Sequence, residues 1–279
     1  MGTDSRGKIQ VRWTGAAGLE ITKDQQTVLI DPYHSRLGKR EAFFKTLVPR
    51  SQAIGEYLGT LPGELSSVIV GHTHFDHALD IPEIAKKFHG PIVGSASLES
   101  LMALYGIPGR VTIPAGSETI DLPGQVTVTM IPSAHGLVAF GRVPYAGDID
   151  PDARLPLKAR QYRHGKVYMS KVEIGQMTFI HAGSANFVES ELDGHRCDVL
   201  FMCVPGWKKT PGYCTRLPEI LQPEVIIPFH FDDFSAPMDV NMVAPALPFQ
   251  DMKGFLGRIS QAAPRAEIRV PRTFDPMFF

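Results

Sequence analysis

Residues 9–13 (I-Q-V-R-W) place an apolar side chain at every second position, the period of a half-buried strand. Residues 18–22 and 27–31 are predicted as two further strands, split by the turn-forming Lys23-Asp24-Gln25. Asp31-Pro32 ends the third, because proline has no N–H for a ladder. Residues 33–63 are expected to be partly helical, with an interruption at Pro49. Residues 67–71 (S-V-I-V-G) form a short β-branched run of the buried-strand kind and lead directly into His72. The period then changes. Ile81, Ile84, Ala85 and Phe88 make one helical stripe, with Asp80 as N-cap, Pro82 in the first turn, Glu83 closing a capping box and Gly90 as the stop. Ile92-Val93 is a strand, and residues 97–105 are a helix with Leu98, Leu101, Met102 and Tyr105 on one face, ended by Gly106.

Strands return over residues 111–132, where Val126, Val128 and Met130 share a face. Residues 166–172 and 176–181 read as a hairpin about Gly175, and residues 198–204 and 225–229 as buried strands around a Pro/Gly-rich loop. Phe249, Met252, Leu256 and Ile259 mark a helix, and residues 267–270 a last strand. Residues 136–165 are rich in Pro, Gly, Arg and Tyr and show no period. Two strand-rich halves with no linker or repeat between them predict an α+β chain. Two stacked sheets with helices outside form a single domain over 1–279, carrying an irregular insertion at 136–165.

Composition narrows the function. With 279 residues, 43% hydrophobic and 20% charged, the chain can bury a sizeable core. Lys plus Arg is 28 against 29 for Asp plus Glu, a balance that argues against a nucleic-acid or anionic-membrane partner and leaves a small molecule. No apolar run approaches the ~20 residues needed to span a bilayer. Residues 1–10 lack the apolar core of an export signal, and three cysteines make no disulfide framework; a cytoplasmic protein is expected, with no indication of oligomeric state.

The chemistry is concentrated in Gly71-His72-Thr73-His74-Phe75-Asp76-His77, four metal-capable side chains in six residues after a buried strand. In extended chain, side chains two apart share a face, so His72 and His74 can reach one ion. Asp76 and His77, where the chain turns into a helix, can reach a second ion or a bound water. Imidazole with carboxylate suits zinc, and less selectively manganese or iron.

On these residues, with Gly15, Gly18 and Ile30-Asp31-Pro32 ahead of them, the sequence resembles the metallo-β-lactamase-fold hydrolases. More narrowly it is similar to the branch of ascorbate-6-phosphate lactonase and N-acylphosphatidylethanolamine phospholipase D, over residues 9–234. The resemblance implies a four-layer αββα sandwich of two mixed sheets, with the metal site at one edge between them. It further implies His72, His74 and His135 at a first metal position, and Asp76, His77 and His230 at a second. The carboxylate that usually bridges the two ions is missing: Ser184 stands at that position, in Ala182-Gly183-Ser184. A neutral hydroxyl is a poor ligand for a dication, so the second position is expected to be weak or empty. Asp148, in the long loop, is the rival source of a carboxylate.

A bound dication would make water reactive at neutral pH, with Asp76 as the orienting base. Three readings follow: hydrolysis of a small ester, lactone or amide; hydrolysis of a phosphodiester; and metal or ligand binding without turnover. Asp31 is either an acceptor that orients a ligand or a turn cap, and His181 lines the pocket or packs in the core. His34, His89, His164 and His195 read as loop or surface residues, and Cys203 and Cys214 as buried thiols. Arg142, Tyr145, Arg154, Arg160, Tyr162 and Arg163 of the loop either meet an anionic substrate group over the pocket or belong to a solvated surface insertion or a subunit contact.

Overall fold

The computed structural model describes residues 8–138, 141–236, 246–247 and 250–279, so Phe249 lies outside the described residues. The first sheet is built from β1 (Gln10–Gly15), β2 (Gly18–Lys23), β3 (Gln26–Ile30), β4 (Glu64–Ile69), β5 (Ile92–Val93) and β6 (Val111–Thr112) in that order, with β14 (Met277–Phe278) outside β1. The second runs β13-β12-β11-β10-β9-β8-β7, from β7 (Thr119–Leu122), β8 (Val126–Ser133), β9 (Val167–Ile174), β10 (Met177–Ala182), β11 (Val199–Cys203), β12 (Val225–Phe229) and β13 (Glu267–Ile268). Each sheet is mixed. Strands β3 to β6 are parallel, as are β10 to β13, and the remaining pairs are antiparallel.

That topology fixes where a site can form. β8 and β10 are each antiparallel to β9, so the C-terminal ends of β8, β10, β11 and β12 share one edge. In the first sheet the same logic brings the ends of β1, β3 and β4 together. The two edges meet. Tyr168 N–H, from β9, donates to Gly71 O at 2.9 Å. Asp232, after β12, accepts from Ala16 N–H at 2.9 Å and pairs with Arg36 at 2.7 Å, all three buried.

Strand alternation sorts the apolar side chains. Val28, Ile30 and Ile69 face the cluster between the sheets, whereas Leu29, Val68 and Val70 face outward. On that outer face sit α2 (Ser51–Leu58), α4 (Ile81–Ala85) and α5 (Ala96–Leu104), through Ile54, Ile84, Leu98 and Leu101. Against the second sheet, α6 (Arg216–Leu221) and α7 (Met252–Ala262) bury Leu217, Leu221, Phe255 and Ile259. The fold is the four-layer sandwich expected. Two short elements escaped the sequence pattern, α6 and β14, because neither is long enough to show a period.

The expected helix from Asp80 is also corrected. It is shortened to α4, with a separate turn, α3 (Phe75–Ala78), ahead of it; Asp80 stands at the N-cap position of α4 but makes no capping bond with its side chain. Its buried carboxylate instead accepts from the N–H groups of His34 and Ser35 and from the Ser35 hydroxyl. Glu83 completes no box; it accepts from Ser51 Oγ. Nor is His34 a surface residue: its ring stacks on Tyr57 at 3.3 Å between centroids, and its Nε2 is buried without a partner.

Burial pushes the His34 pKa down to about 3. The unfolded chain then binds this proton better, near 6.5, so the residue's contribution to stability is lost as pH falls from 6.5 towards about 3. His34→Phe keeps the stack and removes the proton. Urea unfolding at pH 7 and pH 5 is expected to show the variant gaining about 2 kcal/mol on wild type across that interval. An unchanged difference would place the charge in solvent.

Candidate metal centre

Beyond β4 the chain bends at Gly71 and reaches His74, extended at the N-cap position of α3, with Asp76 and His77 in that helix's single turn. The bend and the turn of helix after it bring four close-spaced side chains towards one edge. His72, His74, Asp76 and His77 are all buried. His135 comes from just beyond β8, and His230 from the residue after β12, held in the left-handed region at φ 61. A bulky residue rarely takes that conformation, at a cost of about 1–2 kcal/mol, and here it turns the ring back to the shared edge.

The structure gathers these six into two groups, His72 with His74 and His135, and Asp76 with His77 and His230, each group's ligand atoms lying within 4.8 Å of one another. His72 Nε2 is 3.2 Å from His74 Nδ1, and His230 Nε2 is 3.3 Å from Asp76 Oδ2. Nitrogens ~2.0–2.1 Å from one tetrahedral ion stand roughly 3.3 Å apart, so both spacings suit a shared cation.

Hydrogen bonds fix the tautomers. His74 Nε2 donates to Pro144 O at 3.0 Å, His135 Nδ1 to Gly136 O at 2.8 Å, and His77 Nδ1 to Asp31 Oδ2 at 2.8 Å. Each acceptor is an oxygen without a proton, so in each neutral ring the other nitrogen carries a lone pair. Burial, with the mutual repulsion of the rings, holds His72 well below the usual imidazole range. It pushes His74 down to about 3 and His135 to about 4. Burial works against ionisation of Asp76 too, yet His77 and His230 outweigh it and keep this carboxyl below its ordinary value. His77 goes the other way: burial disfavours its charge, but the Asp31 and Asp76 carboxylates outweigh burial and raise its pKa above the usual imidazole value, so a cation there must displace the Nε2 proton. Neutral imidazoles and an ionised carboxylate are the forms that bind a cation, and His72, His74, His135 and Asp76 stand in them.

Asp31, at φ 46 and fully buried, supports the centre from behind, accepting from Gly71 N–H at 2.7 Å as well as from His77. Room for it depends on glycine: a Cβ at Gly183 would lie 3.0 Å from Asp31 Oδ2, and one at Gly71 3.2 Å. His181 is buried, donates through Nε2 to Ala17 O at 2.8 Å, and leaves Nδ1 unpartnered 3.9 Å from Asp31.

Ser184 lines the same cavity as members of both groups, its Oγ accepting from Gly136 N–H, next in sequence to His135, at 2.9 Å. Asp148 is exposed and takes no part in the cavity wall. His164 lies in a loop, one of the two readings expected of it, and is half-buried there, its ring 5.8 Å from His74 and 6.0 Å from His135. The loop carrying it is no loose insertion. Leu157, Ala159 and Tyr162 are buried under the first sheet, and His164 O accepts from Thr73 N–H at 2.9 Å. Sequence reasoning missed this support, and also Pro144 O, because backbone acceptors in an aperiodic loop leave no pattern to read.

A cavity of about 410 Å³ opens onto the two groups. Of the loop residues expected to meet substrate, Tyr145 lines it, while Tyr162 is buried elsewhere and Arg142, Arg154, Arg160 and Arg163 are exposed and outside the wall. Of the two readings of these arginines the solvated surface is the one that fits, and the arginine-lined anion site is corrected: the loop's apolar anchors leave its guanidinium groups exposed.

Comparison with known proteins agrees with this fold. The family described as Beta-lactamase superfamily domain matches residues 10–230. A metal-dependent hydrolase from Pyrobaculum arsenaticum is 26% identical over 272 residues, 96% of this chain and 98% of that one. The structure of a metallo hydrolase from the archaeon Ignicoccus hospitalis superposes with a TM-score of 0.64 at 17% identity, covering 98% of both chains. A diiron β-hydroxylase from Streptomyces venezuelae shares the fold at TM-score 0.61 and 12% identity, over all of this chain and 55% of its own. With the sandwich and the match over most of its length, the chain belongs to the β-lactamase superfamily and has the metallo-β-lactamase fold.

Proposed function

We propose that the protein hydrolyses a small ester, lactone or amide with a metal-activated water, and that the two imidazole-rich groups hold the ion. The observation that carries this reading is the set of fixed rings: His74 and His135 each commit one N–H to an oxygen and keep a lone pair for a cation, while Asp31 orients His77 with its Nε2 towards Asp76. A bound divalent ion would supply a Lewis acid, bringing the ionisation of water from 15.7 towards about 7 and stabilising charge on the substrate oxygen. The protein's own part is positional. Asp76, kept ionised and opening onto the cavity, is the group that takes a proton from water, and Asp31 holds His77 in one orientation.

Zinc suits a set of five imidazoles and one carboxylate, and the fold relative that carries two irons makes iron the second candidate. A phosphodiester finds less support, since the cavity wall offers no arginine among the described residues. The two groups together bring one negative charge, Asp76, and among the described residues no further carboxylate joins either group. Two dications at such close range repel, so one ion is held tightly and the second weakly. Three buried free cysteines support work in a reducing compartment, the cytoplasm by this reading.

Calorimetric titration of the chelator-stripped protein with Zn²⁺ is expected to give one tight equivalent. Ser184→Asp, which restores a carboxylate to the wall of the cavity both groups share, should gain a second, and Asp148→Ala should change neither. Chelator should abolish turnover of a chromogenic ester. Two tight equivalents in wild type would overturn the single-ion reading, and chelator-resistant turnover would overturn the metal mechanism.

A further inference from the structure

The wall of the cavity speaks to what the site takes in, and this step rests on the hydrolytic reading above. Phe75 and Phe234 meet edge to face at 6.1 Å, and Phe234 stands 5.7 Å from the His230 ring, so one side of the metal centre is an aromatic wall. Tyr145, 6.2 Å from His74, adds a further ring to the same cavity. Val138 and Leu247 continue the apolar lining, and Phe43 of α1 (Lys39–Phe44) adds a ring that is 71% exposed. Charge is scarce. Among the described residues lining the cavity the one lysine or arginine is Lys39, and it is engaged by Asp233 at 2.7 Å.

A phosphate or carboxylate entering here would leave water, meet no free cation apart from the ion itself, and lie against aromatic faces and two carboxylates, Asp76 and Asp233. An alkyl or aryl group would lose only its apolar hydration. We infer that the substrate is an uncharged ester or lactone whose acyl side is apolar, seated against the Phe75–Phe234 wall and Tyr145. In the reaction, water oxygen forms the new bond to the acyl carbon and the acyl C–O bond breaks. The proton goes to the departing alkoxide, giving an apolar carboxylic acid and an alcohol. The acid is anionic at neutral pH, so the lining that admits the uncharged substrate disfavours the product.

The test is a chain-length ladder on the full-length, metal-loaded protein. p-Nitrophenyl acetate, butanoate and hexanoate are compared with mono-p-nitrophenyl adipate, which carries a carboxylate at its tip. kcat/KM is expected to rise about fourfold per methylene and to fall at least tenfold on adding the charge. Phe43→Lys, a change at an exposed ring, should halve the ladder's slope and favour the adipate; Phe234→Ala should flatten it. Independently of turnover, calorimetric binding of 1-butanol, 1-pentanol and 1-hexanol should tighten in the same steps. A flat ladder in both assays, or a preference for the adipate in wild type, overturns the apolar substrate class and leaves hydrolysis standing. Graded alkanol binding with no chelator-sensitive turnover of any ester supports the apolar pocket and overturns the hydrolytic reading.

Discussion

His135→Ala is expected to lose the tight metal equivalent and to lower ester turnover about 10³-fold, a loss of several kcal/mol of charge stabilisation. The ring comes from the second sheet, whereas His72 and His74 come from the first, so its removal deprives the ion of the ligand that spans the two. The fold should be spared. His135 is half-buried, and its side chain's hydrogen bond is to its neighbour's carbonyl, Gly136 O. Thermal unfolding of the metal-free variant is expected to match that of metal-free wild type. His164→Ala is the control: its ring stands 6.0 Å from His135 but belongs to neither ligand group, so the ion should stay and turnover should fall less than tenfold. Metal analysis and kinetics of the two variants side by side decide the point. An ion retained by His135→Ala would remove this residue from the centre.

Where side chains repeat with a strict period, the chain announces its own structure. Val126, Val128 and Met130 of β8 and the continuous apolar run of β11 do so, and the strands lie where alternation puts them. The H-x-H-x-D-H cluster is legible for a related reason: its members are so near in sequence that the backbone brings them together unaided. His135 and His230 are different. Nothing in the residues around them requires that they meet the cluster, and the resemblance alone linked them to it. The structure supplies the reason, namely that β8 and β12 end at the same edge as β4. The aperiodic loop was opaque for the opposite reason. Its contribution is made through Pro144 O and His164 O, and carbonyl groups are common to every residue. Arginines in it suggested an anion site from residue type, but direction is set by the buried anchors Leu157 and Tyr162, which no local pattern singles out. Asp80 shows the same limit, since a residue suited to a helix cap was taken instead by the backbone of His34 and Ser35.

Asp31 tests whether support behind a ligand matters as much as the ligand. Its carboxylate is fully buried and accepts from Gly71 N–H and His77 Nδ1–H. Asp31→Ala orphans both donors, at about 1–3 kcal/mol each, and places a less tolerant residue at φ 46. Unfolding in urea with chelator present is expected to show a loss of about 3–5 kcal/mol. Asp31→Asn separates the two effects. Asparagine accepts the left-handed backbone, and its amide oxygen can still take the Gly71 N–H, so most of the stability should remain. Its NH₂ group then faces His77 Nδ1 and donates to it, which moves the ring's proton to Nε2, the atom 3.9 Å from Asp76 Oδ2. A lone pair in the centre is thereby replaced by an N–H. Metal affinity measured by competition with a chromophoric chelator should fall about 10- to 100-fold in Asp31→Asn while the unfolding midpoint moves little. If affinity instead tracks stability across both variants, Asp31 acts as a packing residue and the tautomer of His77 is set by something else.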